Sequence, residues 1–488
     1  MVNVVMTTVI MITQIIISTQ GHVTMIRKKA AVILAILLLL FINLPQAYSK
    51  TCKCKNTQVK ASVSDYRLTA INIDWWDNFT DPYLKENIYK AVQNNHELKM
   101  ASLKTKEYQQ MVKVAFAKEL PSVTLSPSYA FLKTPGFDLD GLDFKSSSTS
   151  LFALPLLTSY EADIFLKNHD KTKAAKKQYE ASKFEEKAIY ISLASSVATT
   201  YLNIVKLDKT ISLQEQIVAI RKQIFDLTKE RNKAGLASTY DVTNTDKLHT
   251  TALIALNDLK KERALLIHQL AVFVADSPCE GTDIKISKFE EIEFRGKIPA
   301  QISSQIVINR PDIMKAEKDL EKAKIDVRVA RKDFLPTIPL IGSVGYSSIE
   351  LSRLFDARSF FGLIGVAAMQ SLYTGGKKMA TLRVKKIQYE QLFENYKQTD
   401  LQAMQEINDS LSKIKFDTTK DNENFKKYNL EKSNFGLINE RYKAGIISYL
   451  EMIQYKENLL GLEREKSDSK IQRYVDYISL YKSVGGCL

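Results

Sequence analysis

The chain has 488 residues, 45% of them hydrophobic and 25% charged, with 17 Gly, 11 Pro and a formal net charge of +14. That much apolar surface repays the ordering entropy and excludes a disordered chain; the composition also excludes a collagen-like or disulfide-dense framework. Lys and Glu alternate along helical stretches such as residues 171–187, which reads as a solvated face and not as a nucleic-acid footprint.

Residues 1–24 are apolar and precede a second candidate start, Met25. Met25-Ile-Arg-Lys-Lys begins a basic n-region, Ala30–Leu44 is an apolar h-region, and Ala47-Tyr48-Ser49 is a small-x-small cleavage signal. Residues 1–49 are therefore read as an upstream extension and a secretory signal peptide. The apolar run is short for a membrane anchor, and Pro45 follows it. No later segment reads as apolar enough for a transmembrane helix, so export without a helical span is expected. Cys52 is a candidate for lipidation, against which stand Lys50 and Thr51 where small or apolar residues are usual. Cys52 and Cys54 lack the further ligands of a metal site, and neither metal nor cofactor is expected.

The chain is duplicated. Glu230-Arg-Asn-Lys-Ala-Gly235 returns 210 positions later as Glu440-Arg-Tyr-Lys-Ala-Gly445, each followed by an acid, Asp241 or Glu451. Ala101, Ala115 and Leu120-Pro121 return 215 positions later as Ala316, Ala330 and Leu335-Pro336. Copies of about 200 residues are too long for solenoid repeats and read as two halves of one fold.

Each half follows the same order. A first helix is expected over Pro82–Glu119 and Arg310–Phe334, then a segment rich in β-formers and turns over Pro121–Phe165 and Pro336–Thr374. Very long helices follow over Lys167–Lys233 and Lys377–Lys443, stretches without Pro or Gly save Gly436. Each would be about 100 Å long. Return helices are expected over Ser238–Ala275 and Ser448–Lys482. The apolar spacing of Leu213, Ile217, Ile220, Ile224 and Leu227, and of Met404, Ile407, Leu411 and Ile414, is that of a coiled-coil seam. Ala194, Ser195, Ala198 and Thr199 would let helices approach closely.

In the β segment, Val123, Leu125, Pro127, Tyr129 and Phe131 alternate with Thr, Ser, Ser and Ala. Ile338, Leu340, Val344 and Tyr346 repeat the pattern. Such alternation suits a transmembrane β-strand, and equally a half-buried soluble one. The returning strands, Ser150–Thr158 and Phe361–Met369, are more uniformly apolar, and the loops Pro135–Gly141 and Ser352–Arg358 are rich in turn residues. Each half thus supplies one hairpin. Four strands cannot close a membrane barrel, whose smallest form has about 8, and open edges are not tolerated in lipid. Several chains must share one barrel.

At this point the chain resembles the TolC/OprM family of outer-membrane efflux proteins over nearly all of its mature region. The resemblance lies in Trp75-Trp76-Asp-Asn-Phe79-Thr-Asp81-Pro82, in Arg310-Pro311-Asp312-Ile313, and in the junctions Tyr160–Phe165 and Leu372–Lys377, where Leu166 departs from the usual Gly. Tyr442-Lys-Ala-Gly445 and Tyr449-Leu450-Glu451 resemble its periplasmic turn. The family implies a mainly α fold with a β-barrel portion: a coiled-coil tunnel plus a 12-stranded barrel shared by a homotrimer, with 50–81 and 276–309 as equatorial segments. It implies a periplasmic adaptor and an inner-membrane RND-type transporter as partners, outer-membrane lipid around the barrel, and no nucleic acid. Gly235, Leu236, Gly445 and Ile446 would form the adaptor-contact tips. Tyr240, Asp241, Tyr442, Ile447, Glu451 and Gln454 would form the periplasmic gate, with Asp241 facing Tyr442 and Ile447 facing Tyr240. Ile447 and Gln454 replace an Arg and an Asp of the best-known members, so the gate would rest less on salt bridges.

No paired His or Cys ligands, phosphate loop or nucleophile elbow points to an enzyme; His96, His169, His249 and His268 stand isolated. The reading is an exit duct for small molecules. The alternatives are a type I protein-secretion duct and a structural coiled-coil protein.

Overall fold

The computed structural model describes residues 75–279 apart from 136, 140, 141, 145 and 146, together with 284–296 and 307–486. The leader, Cys52, Cys54 and Cys487 lie outside the described residues. Two units form: a sheet from Ser122–Ser159 and Ile341–Gly365, and a helical unit.

In the sheet, β1 (Ser122–Leu125) and β2 (Ser128–Thr134) both pair with β5 (Ser147–Glu161), beyond which lie β6 (Pro339–Ser348) and β7 (Phe360–Val366). The register holds from Ser122↔Ser159 through to Thr134↔Ser147, and the Ser126 N–H donates to the Pro155 carbonyl between them. β1 and β2 are therefore one strand, interrupted at Pro127, which has no N–H for the ladder. Two short strands, β3 (Phe137–Leu139) and β4 (Leu142–Phe144), continue the same register to Leu139↔Leu142. Within Pro135–Gly141, expected as a loop, Phe137–Leu139 is thus paired strand. The alternation Phe137, Leu139 and Leu142, Phe144 outweighs the turn residues around it. The sheet has four lanes, and the apolar Val123, Tyr129 and Phe131 stand exposed on it. β5 and β6 join the two halves. Gly345 permits their approach, since a Cβ there would lie 2.8 Å from the Pro155 Cα.

The expected first helix is two helices, α1 (Pro82–Asn94) and α2 (His96–Ala117), because the Asn95 side chain caps a new start by accepting from the Leu98 N–H at 3.1 Å. The long helices α3 (Lys167–Lys233) and α6 (Lys377–Lys443) have the bounds the sequence gives them, and α4 (Thr239–Val274), α5 (Pro311–Lys332) and α7 (Tyr449–Ser483) complete the unit. α3 is its spine: α2, α4, α5 and α7 all pack on it, and α5 and α7 also pack on α6. The seam expected in α3 is real: Leu213, Ile217, Ile220 and Ile224 meet Ile453 and Leu460 of α7. In α6, Ile407, Leu411 and Ile414 pack inward, whereas Met404 is exposed.

One expectation needs correction. α3 contains an 18-residue window of mean hydropathy 1.4, long and apolar enough to cross a membrane. Its apolarity is spent inside the protein, where Leu193, Val197, Tyr201 and Val205 pack against Trp75, Trp76, Leu84, Leu270 and Ile478. Around this core, Asp81 caps α1 through the Tyr83 N–H at 2.8 Å and accepts from the Tyr201 hydroxyl and the Ser287 hydroxyl, each at 2.7 Å. Burial and the neighbouring Asp81 carboxylate push the Tyr201 hydroxyl far up, so it stays a donor.

The ends of α4 and α7 abut the starts of α2 and α5. Asn95 Nδ2 donates to the Phe273 carbonyl at 3.0 Å, and at the equivalent place in the second half the Arg310 guanidinium donates to the Ser483 carbonyl. Arg310 is itself held by Asp312 and Glu406, each at 2.7 Å. Among the described residues the non-Gly residues with positive φ are Leu166 (54°) and Ala275 (59°), which correspond to Gly376 (80°) and Gly485 (69°). Leu166→Gly and Ala275→Gly should therefore each raise stability by up to about 1 kcal/mol, measured as the urea midpoint of helical circular dichroism. Gly485→Ala should lower it by more than about 1 kcal/mol, since its Cβ would also lie 2.9 Å from the Pro311 Cδ.

Candidate functional site

Both long helices end alike. Arg231 and Lys233, and Arg441 and Lys443, sit in the last turns, where cations oppose the carbonyl end of the helix dipole. Gly235 (φ 74°) and Gly445 (φ 72°) then turn left-handed, and the N–H of Leu236 and of Ile446 donates back to Arg231 and Arg441 at 2.8 and 2.9 Å. This is a Schellman closure, and only Gly adopts the required φ without strain. It presents Leu236 and Ile446 outward, each 70% exposed. Ser238 and Ser448 next cap the return helices, accepting from the Asp241 and Glu451 N–H at 3.1 and 3.2 Å.

From there the two tips diverge. Asp241 completes a capping box: its Oδ2 accepts from the Ser238 N–H at 3.0 Å and from the Ser238 hydroxyl at 2.8 Å. Those two donors hold its carboxyl below the usual range. Both Ser238 donors go to Oδ2, and no hydrogen bond joins Asp241 to Tyr442 in the single chain. The Tyr442 ring lies instead against Tyr449, with centroids 5.7 Å apart, and Tyr449 reaches Gln223 Oε1 at 3.5 Å. Asn232, the counterpart of Tyr442, pins its own turn by donating to the Ala237 carbonyl at 2.8 Å. Tyr240 is 76% exposed, and Ile447 is half-buried within its turn. Glu451 and Gln454 are exposed on α7. Asp241 and Gln454 share a groove of about 360 Å³ with Leu236, Arg231 and Arg221.

The sequence reading missed the brace of this groove. Arg221 of α3 pairs with Glu457 of α7 at 2.7 Å and donates to the Leu248 carbonyl of α4 at 3.0 Å, joining three helices. A signal was present. Arg221 and Lys247 of the first half correspond to Glu431 and Glu457 of the second, so the halves carry opposite charges at equivalent places.

The family of outer membrane efflux proteins matches residues 87–272 and 302–486, one match per half, and the chain belongs to it. TtgC of Pseudomonas putida, named a probable efflux pump outer membrane protein, is 26% identical over 421 residues, 84% of either chain. CusC of Escherichia coli K12, named a cation efflux system protein, is 26% identical over 85% of this chain and 89% of its own. SilC of Salmonella typhimurium, named a probable outer membrane lipoprotein, is 26% identical over 91% and 92%. Among solved structures, the outer membrane channel CmeC of Campylobacter jejuni superposes with a TM-score of 0.77 at 24% identity, covering 86% of this chain and 89% of CmeC. VceC of Vibrio cholerae gives 0.75 at 22% identity over 85% and 99%. The chain is thus an outer-membrane efflux protein of the helical-tunnel and shared-barrel fold.

The brace predicts a coupling. A double-mutant cycle of Arg221→Ala and Glu457→Ala should give an interaction energy of about 0.5–1 kcal/mol in urea unfolding, since both side chains remain partly wet. The charge-reversed pair Arg221→Glu with Glu457→Arg should recover part of it.

Proposed function

We propose that three copies form the exit duct of a tripartite efflux system. The duct would receive small molecules from an inner-membrane RND-type transporter through a periplasmic adaptor and release them outside the cell. The observation that carries this reading is the pair of matched tips, in which left-handed Gly235 and Gly445 hold Leu236 and Ile446 out as exposed apolar contacts. Such apolar points on a polar tip suit a partner surface. The relatives named for toluene, solvent and cation efflux support export by a pump. A duct needs no covalent chemistry, only a path and a gate.

In this reading Tyr240, Asp241, Tyr442, Ile447, Glu451 and Gln454 line the constriction at the tips. Its closure would rest on the Arg221–Glu457 brace and the capped turns. Glu451 would contribute one carboxylate per chain to a ring in the pore.

Deleting the gene should raise susceptibility to pump-exported compounds while leaving the secreted-protein profile unchanged. The reverse pattern would favour a type I secretion duct. Gly445→Val should abolish complementation while heat-modifiable migration persists, because φ near 72° strains a β-branched residue by about 1–2 kcal/mol. In planar bilayers, Glu451→Gln should lower cation selectivity and Arg221→Ala should raise conductance. Unchanged traces in both would place the gate elsewhere.

A further inference from the structure

The seam between α6 and α7 contains a contact that the duct reading does not use. Along α7, Ser469, Arg473, Asp476 and Leu480 recur at helical spacing toward α6. The Ser469 hydroxyl donates to Asp421 at 3.0 Å, Arg473 pairs with Asp421 at 3.0 Å, and Leu480 packs with Ile407 and Ile414. Between them Asp476 is 1% exposed. Its Oδ1 accepts from Gln472 Nε2 at 3.0 Å, while its Oδ2 has no donor among the described residues. The side chain it meets across the seam is that of Asp417. Two facing carboxylates, Asp476 buried and Asp417 half-buried, repel unless one of them carries a proton.

The first half serves as an internal control. Asp417 and Asp476 correspond to Leu207 and Leu266, and Asp421 and Ser469 to Ile211 and Leu259. Leu207 is buried, and Leu266 packs on the central core. The fold builds this seam from apolar residues in one half, so it does not require acids in the other.

The charged surroundings of Asp476 are few. α6 supplies Asp417 and Lys413. Asp421 and Arg473 pair with each other one turn away, and Arg310, two turns on, is taken by Asp312, Glu406 and the Ser483 carbonyl. α3, packed against α7, has no Asp, Glu, Lys, Arg or His between Ala188 and Val205; its titratable groups there are Tyr190 and Tyr201. Burial and the contact with Asp417 push the Asp476 carboxyl up to about 6.

We propose that Asp476 keeps a proton where it faces Asp417, and that the two form a pH-sensitive latch joining α6 to α7. The latch is closed while the proton is held and loosens when it leaves. The folded chain binds this proton more tightly than an unfolded Asp, whose pKa is about 3.9. Its stabilisation is therefore complete below about pH 4 and disappears as the pH rises through about 6.

The test uses the full-length protein in detergent, with the protonated-carboxyl infrared band, taken as the difference from the Asp417→Leu, Asp476→Leu pair so that the ordinary carboxyls cancel, and the helical melting midpoint recorded at about pH 5 and about pH 7.5. The unmodified protein should lose one such band near pH 6 and melt a few degrees lower at the higher pH. Asp476→Asn, which donates permanently to Asp417, should show neither change. The pair Asp417→Leu with Asp476→Leu, which copies the first half, should also lack the melting shift and remain folded. Absence of the band in the unmodified protein overturns the proposal without any variant, and so does its persistence in Asp476→Asn. A melting shift of equal size in all three proteins would overturn the latch.

Discussion

A helix cannot end inside a protein with its last carbonyls unpaired, and the helical unit depends on how that constraint is met twice. α4 and α7 stop against the starts of α2 and α5, so that shorter helices together run beside the spine formed by α3. The Asn95 amide closes one joint on the Phe273 carbonyl, and the Arg310 guanidinium closes the other on the Ser483 carbonyl. A neutral amide suffices in the first. The second places a cation against the negative end of α7 and ties it to α6 through Glu406. Without such closures each joint would be a buried break, and helices about 100 Å long would lack neighbours over part of their length.

The two halves share one backbone plan and differ in the chemistry placed on it. Arg221 of the first half pairs with Glu457 of the second, while equivalent positions carry the opposite charges, Glu431 and Lys247. Leu166 and Ala275 accept left-handed strain that Gly376 and Gly485 avoid. At the tips, one turn is pinned by Asn232 and a capping box, the other by a Tyr442–Tyr449 contact.

Much of this was legible in the sequence, and the reason is local. The bounds of α3 and α6 follow from an absence of breakers and an Ala-Gly stop, and the left-handed φ of Gly235 and Gly445 from their place after the last helical turn. What could not be read depends on competition or on distance. The break at Asn95 needs a cap that also reaches a carbonyl 178 residues away. The strand Phe137–Leu139 needs a partner to pair with. That Asp241 completes a capping box with Ser238 is likewise shown only by the geometry. The burial of the apolar stretch of α3, which separates a core helix from a membrane span, is a tertiary fact.

The sheet makes the strongest demand on assembly, because four lanes leave two unpaired edges and an apolar face that only lipid and neighbouring strands can satisfy. The most direct measurement is the mass of the full-length protein released from native outer membranes in mild detergent, by native mass spectrometry. Three copies per particle is the predicted result, dissociating on heating together with the loss of β-structure. A monomer that keeps heat-resistant β-structure would contradict the account.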